Sequence, residues 1–109
     1  MRREGAVLFR GQKAGTVWQD EDGYGFAYDP GYLRSANEPV SFTLPLRGHP
    51  YVSKTMLPFF DGLIPEGWLL DIAVRNWKLD PKDRMALLLT VCRDCIGAVS
   101  IESENRTQE

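Results

Sequence analysis

Residues 5–29 read GAVLFRGQKAGTVWQDEDGYGFAYD. This stretch decides the fold, because its apolar runs are short and glycine recurs between them. GAVLFR (5–10) is followed by Gly11 and Gly15, GTVWQD (15–20) alternates in part, and EDGYG (21–25) is a turn carrying two glycines. YGFAYD (24–29) sets Tyr24, Phe26 and Tyr28 on one face of a strand, and Pro30 and Gly31 close it. The connections are too short for helical crossovers, so these strands pair antiparallel.

Working outward, PVSFTLPL (39–46) reads as a fourth strand bounded by prolines. The second half changes period. SKTMLPFFDGL (53–63) holds a short helical turn, with Phe59 and Phe60 packing it onto the sheet, and Ser41, Phe42 and Leu44 read as structural. PEGWLLDIAVRNWKL (65–79) reads as a helix with Pro65 near its first position and Glu66 and Asp71 toward its positive end. DPKDRMALLLTVC (80–92) is a second helix, with Asp80 as N-cap, Pro81 at N1 and Asp83 at the N3 position of a capping box. AVSIE (98–102) returns to strand composition after Gly97.

The expected class is α+β: a small antiparallel sheet or partial barrel of about five strands with two or three helices packed on it, in the order β-β-β-β-α-α-β. With 109 residues the chain is expected to form one domain, ordered over about 5–102, with a polar tail (103–109) that frays.

Composition limits the functional classes. Hydrophobic residues make up 43% and charged residues 26%, with a net charge of −2, so no basic footprint for nucleic acid stands out. The run Ala6 to Phe9 is too short for a signal peptide, and no stretch approaches the roughly 18 apolar residues of a spanning helix, which suggests a cytoplasmic protein. Cys92 and Cys95 are spaced C-x-x-C, but one pair cannot complete a four-ligand zinc site, and the pair closes a helix instead of opening one. Packed or solvated thiols are the plainer reading, with redox or metal work as the alternative. His49 is the sole histidine and lies in the loop LRGHPY. No P-loop, H-E-x-x-H or G-x-S-x-G pattern occurs. CRDC (92–95) carries the Arg-Asp of a kinase catalytic loop, but not its histidine, its asparagine or a D-F-G, so phosphoryl transfer has no parts here. No enzyme, cofactor or metal chemistry is expected.

The helix over 65–79 poses a sharper question. At about 100° per residue, Leu69, Leu70, Ala73, Val74 and Trp77 fall in one arc with Glu66, which makes that arc the core stripe. Trp68 lands at roughly 200° from Glu66. Its helical neighbours are Asp71, Ile72 and Arg75, so Trp68 and Ile72 form a small apolar patch on a charged face. The plain alternative is a tryptophan tucked under the loops of the first half, or a helix that starts after it. An outward indole at a helix start is a binding anchor. Its burial against a partner removes on the order of 200 Å² of surface.

FTLPL (42–46), FFDGLIPEG (59–67) and DRMALLLTVCRDCIGAVSI (83–101), in that order, together resemble the N-terminal subdomain of HipA-type serine/threonine kinases. GQKAGTVWQDEDGYGFAYDPGYL (11–33) is similar to its opening strands, and the likeness runs over roughly residues 5 to 102. A free-standing copy resembles the HipS antitoxins of three-component HipBST toxin–antitoxin systems. That resemblance implies an antitoxin that binds and neutralises a HipT-like kinase toxin, which lacks this subdomain, in trans. It also implies a shared complex with a HipB-like helix-turn-helix protein that touches operator DNA. On this reading Trp68 is the partner-binding anchor and Leu63, Ile64, Pro65, Glu66 and Gly67 shape the presenting loop, Leu63 and Ile64 reading more as core than as contacts. Asp71, Ile72 and Arg75 form the rim. Trp18 and Trp77 are core or near-core candidates. A competing reading is a non-inhibitory assembly module that bridges kinase and DNA-binding protein.

Overall fold

The computed structural model describes residues 2–35, 38–64, 68–80, 82–91 and 98–103, with the backbone alone at positions 68, 69, 73, 77 and 91. Strands β1 (Arg3–Phe9), β2 (Gln12–Asp20) and β3 (Gly23–Tyr28) form two consecutive hairpins. Then follow α1 (Pro30–Ser35), β4 (Tyr51–Ser53), α2 (Pro58–Asp61), α3 (Trp68–Trp77), α4 (Arg84–Val91) and β5 (Val99–Ser103). The sheet is antiparallel, in the order β4-β3-β2-β1-β5. The fold is α+β, and the sheet is open, with β4 and β5 at its edges.

Each tight turn has a local cause. Phe9 pairs with Gln12, which leaves a two-residue loop in which Arg10 (φ 54°) and Gly11 (φ 83°) both adopt positive φ. That geometry matches the right-handed twist of the flanking strands, and glycine takes it without a steric cost. Between β2 and β3 the Asp22 N–H donates to the Asp20 carboxylate at 2.9 Å and folds the chain back. The register shifts by one residue at Ala14, a bulge whose carbonyl accepts the Asp29 N–H at 2.8 Å.

Residues far apart in sequence meet on one face. Val7, Val17, Phe26 and Ile101 are fully buried there, and the helices add Phe60, Met85, Leu87 and Leu88 to the same cluster. Phe26 packs edge-on against Tyr28 at 4.8 Å and against Phe60 at 5.3 Å. Phe59 and Phe60 thus seat α2 on the sheet as expected.

Three sequence expectations need correction or extension. Residues 39–46 do not form a strand; β4 lies at Tyr51–Ser53. Pro39 and Pro45 have no N–H to give a ladder. The Ser41 hydroxyl accepts the Thr43 N–H at 3.2 Å, and the Leu44 N–H turns back to Ser41 O at 3.0 Å. Val40 and Leu44 are buried, but Phe42, expected to be structural, is 99% exposed. The buried Tyr28 hydroxyl holds this loop, accepting the Val40 N–H at 3.0 Å and donating to Leu44 O. Burial raises the Tyr28 pKa above the ordinary phenol value, so the donor stays protonated.

Second, Pro30 and Gly31 do more than close β3, which ends at Tyr28 as expected: they also open helix α1; proline suits a first helical position, and Asp29 O accepts the Leu33 N–H at 3.0 Å. Third, α4 begins at Arg84. Its cap is Asp83, whose carboxylate accepts the Ala86 N–H at 3.2 Å, while Asp80 forms a separate turn with the Lys82 N–H at 2.9 Å.

Asp83 also fixes α4 to the sheet. The Arg3 guanidinium donates to both its oxygens, at 2.8 and 3.1 Å, and to the Gln19 side chain. The Arg3 hydrogen bonds hold the Asp83 carboxyl below its ordinary pKa. A depressed folded pKa makes this contribution complete above the unfolded value of about 3.9. It is lost as pH falls through the folded value. Replacing Asp83 with Ala removes cap and ion pair together and lowers stability by about 1–2 kcal/mol near pH 7. Thermal unfolding at pH 7 and pH 2.5 checks this: the gap between wild type and variant narrows at the lower pH.

Candidate partner-binding site

The site predicted around α3 is built on a rigid base. After α2 the chain makes a further turn, with the Leu63 N–H donating to Phe60 O at 3.0 Å and the Ile64 N–H to Asp61 O at 3.2 Å. Ile64 is 2% exposed within the core cluster, and Leu63 is half-buried against it. These two side chains therefore anchor the chain just before residue 65. The Arg84 guanidinium ties α4 to Asp61 at 2.7 Å and braces the same turn. Pro65, Glu66 and Gly67 lie outside the described residues.

Helix α3 rests on the core through Leu70 and Val74, two residues of the predicted stripe. Asp71, Ile72 and Arg75 are exposed on its other side, Ile72 at 37%. The helix ends at Lys78, whose φ of 55° is left-handed, and the Leu79 N–H returns to Val74 O at 3.1 Å. Position 68 opens α3, one turn before 71 and 72 and two before 75, so helical spacing puts the four backbone positions along one side. The Trp68 and Trp77 side chains lie outside the described residues.

The other candidates separate cleanly. His49 is exposed, and the loop around it is held by Arg47, which donates to His49 O at 3.0 Å and Pro50 O at 2.9 Å and stacks on Tyr51. Among the described residues no group of three or more His, Cys, Asp or Glu side chains gathers as metal ligands, and no helix is long and apolar enough to cross a membrane. Cys92 and Cys95 lie outside the described residues.

Two exposed apolar sites were not visible in the sequence. Trp18, expected in or near the core, is half-buried on the other face of the sheet, with the Arg2 guanidinium 4.5 Å from its ring centre. In the register Trp18 pairs with Gly25 and Gly25 with Val52, which is 71% exposed. A side chain at Gly25 would come within 2.2 Å of the indole, so glycine lets the ring lie flat on the strand. Arg2, Trp18, Asp22, Val52 and Lys54 line a cavity of about 490 Å³. The second site is Phe42, beside a cavity of about 380 Å³ lined by Phe9, Val40 and Phe59. Neither is legible before register and loop geometry are known, because alternation alone does not say which face is covered.

The base and the rim of the α3 site differ in what a substitution does. Ile64→Ala leaves a core cavity and costs about 2–5 kcal/mol. Ile72→Ser stays within about 0.5 kcal/mol of wild type. Chemical denaturation of both variants checks the contrast.

The HipA N-terminal domain family matches residues 5–102. A protein of Haemophilus influenzae described only as uncharacterized is 33% identical over 104 residues, which covers 95% of each chain. The putative kinase Y4mE of Sinorhizobium fredii is 32% identical over 102 residues; the match takes in 92% of this chain and 24% of that longer protein. A solved structure of the N-terminal domain of HipA toxin superposes with a TM-score of 0.75 at 29% identity, covering 95% of this chain and 94% of that one. The chain belongs to the HipA N-terminal domain family.

Proposed function

From membership of the HipA N-terminal domain family, we propose that this protein binds a HipA-like serine/threonine kinase in trans and neutralises it. It acts as an antitoxin by contact, without chemistry of its own. The observation that carries this reading is the distribution of the domain: it makes up 24% of a putative kinase, and 95% of a protein about the size of this one. A module that occurs both joined to a kinase and without one has a surface made to meet the kinase body. Supplied separately, it meets a kinase that lacks its own copy. A HipB-like helix-turn-helix protein completes the assembly and makes the contact with operator DNA.

The α3 site supplies the grip. Ile64 and Leu63 seat the chain in the core just before residue 65, a fixed starting point for a partner-binding segment. Trp68 fills a cavity of the kinase near its nucleotide or substrate cleft, and Asp71, Ile72 and Arg75 seal the rim.

The test is kinase autophosphorylation, measured with a HipA-family kinase that lacks this domain, titrated with wild-type protein and with Trp68→Ala. Wild type inhibits without the DNA-binding protein. The variant unfolds like wild type but needs roughly 30-fold or more protein for the same inhibition, a loss of about 2 kcal/mol or more at a hot spot. A folded variant that inhibits equally well removes Trp68 as the anchor. A wild-type protein that binds the kinase without slowing it favours an assembly role instead.

A further inference from the structure

The groove at Trp18, on the sheet face opposite the buried core, is the strongest feature that the α3 site leaves unused. It runs across the sheet on the register row Glu4–Trp18–Gly25–Val52. Its floor is the Trp18 ring and the exposed Val52 side chain, and its rim carries Asp20 and Asp22 toward one hairpin and Arg2 and Lys54 beside them. Arg2 is committed in part, to Glu4 at 2.6 Å and to the indole face. An apolar floor with charges of both signs at its edge fits a protein surface better than a phosphate backbone or a lipid headgroup, either of which would meet the two carboxylates.

The path of the chain says which protein. β5 runs from Val99, opposite Phe9, to Ser103, opposite Gly5. It therefore finishes at the same end of the sheet as the groove, one residue row from Glu4 and Trp18. Trp18 stands two strands away, about 10 Å at ordinary strand spacing. The family match ends at residue 102, and the family is an N-terminal domain. Where such a domain stands N-terminal to further chain, that chain continues from the end of β5, at this corner.

We propose that the Trp18–Val52 groove is a second docking surface for the body of a HipA-family kinase, separate from the α3 site. It takes an apolar side chain of the kinase between Trp18 and Val52, with basic and acidic groups of the kinase meeting Asp20, Asp22 and Lys54. The inference rests on the kinase reading above, and it assigns that partner a place on the sheet as well as on the helix.

The experiment measures binding of the full-length protein to a HipA-family kinase lacking this domain, for wild type, Val52→Glu and Val52→Thr. Val52 is exposed, so both variants keep the wild-type unfolding midpoint. The expected result is tenfold or greater weakening by Val52→Glu and less than threefold by Val52→Thr. Hydroxyl-radical footprinting of the wild-type complex gives a second readout in which Trp18 loses reactivity. Wild-type binding with unchanged affinity in folded Val52→Glu overturns the groove and leaves the kinase reading intact. If Val52→Glu is unfolded, footprinting decides, and unprotected Trp18 overturns the groove. Absence of wild-type binding overturns the kinase reading and the groove with it.

Discussion

The packing of Phe26 sets the terms for the rest of the molecule. Its ring is fully buried and meets Tyr28 from its own strand, Phe60 from α2 and Tyr51 from β4. One side chain thus fixes the sheet edge, the first helix of the second half and the face on which the core forms. Tyr28 extends this constraint: its ring stacks on Tyr32 of α1 at 5.9 Å, and its hydroxyl gathers the irregular loop at Val40 and Leu44. The loop needs no strand partner because a phenol satisfies the backbone groups a neighbouring strand would have taken. The second tie is electrostatic, from Arg3 across to Asp83, and joins the start of β1 to the start of α4.

How much of this was legible in the sequence depends on the length scale of the signal. The two N-terminal hairpins were, because glycine at Gly11 and Gly23 and alternation at Tyr24, Phe26 and Tyr28 act within a few residues. The return strand at 98–102 was too, although its partner β1 lies at the other end of the chain. Residues 39–46 alternate like a strand, yet local hydroxyl bonds and two prolines override the pattern. β4 has three residues, too few for a period to show. Asp80 and Asp83 both sit in capping positions by sequence, and only the Arg3 contact and the Ala86 N–H distinguish them.

The candidate site divides in the same way. Helical spacing separates the buried Leu70 and Val74 from the exposed Asp71, Ile72 and Arg75, and a single helix carries that signal. Ile64 sits in the core and Leu63 packs half-buried against it, as the reading of them as packing residues implied. Pro65 to Gly67 and the Trp68 ring lie outside the described residues. The Trp18–Val52 groove was illegible for a different reason: three strands contribute to it, and its existence depends on a register that no local pattern encodes.

The fold therefore presents two different surfaces from one small core, an exposed helix face held by Leu70 and Val74 and a sheet face where Gly25 makes room for Trp18. On the proposed function, these surfaces are what a HipA-like kinase meets. Isothermal titration of this protein into a HipA-family kinase lacking the domain tests that account most directly. A saturable complex, formed without the DNA-binding protein, is the predicted result. No detectable heat and no co-elution at micromolar concentrations of both proteins would contradict it.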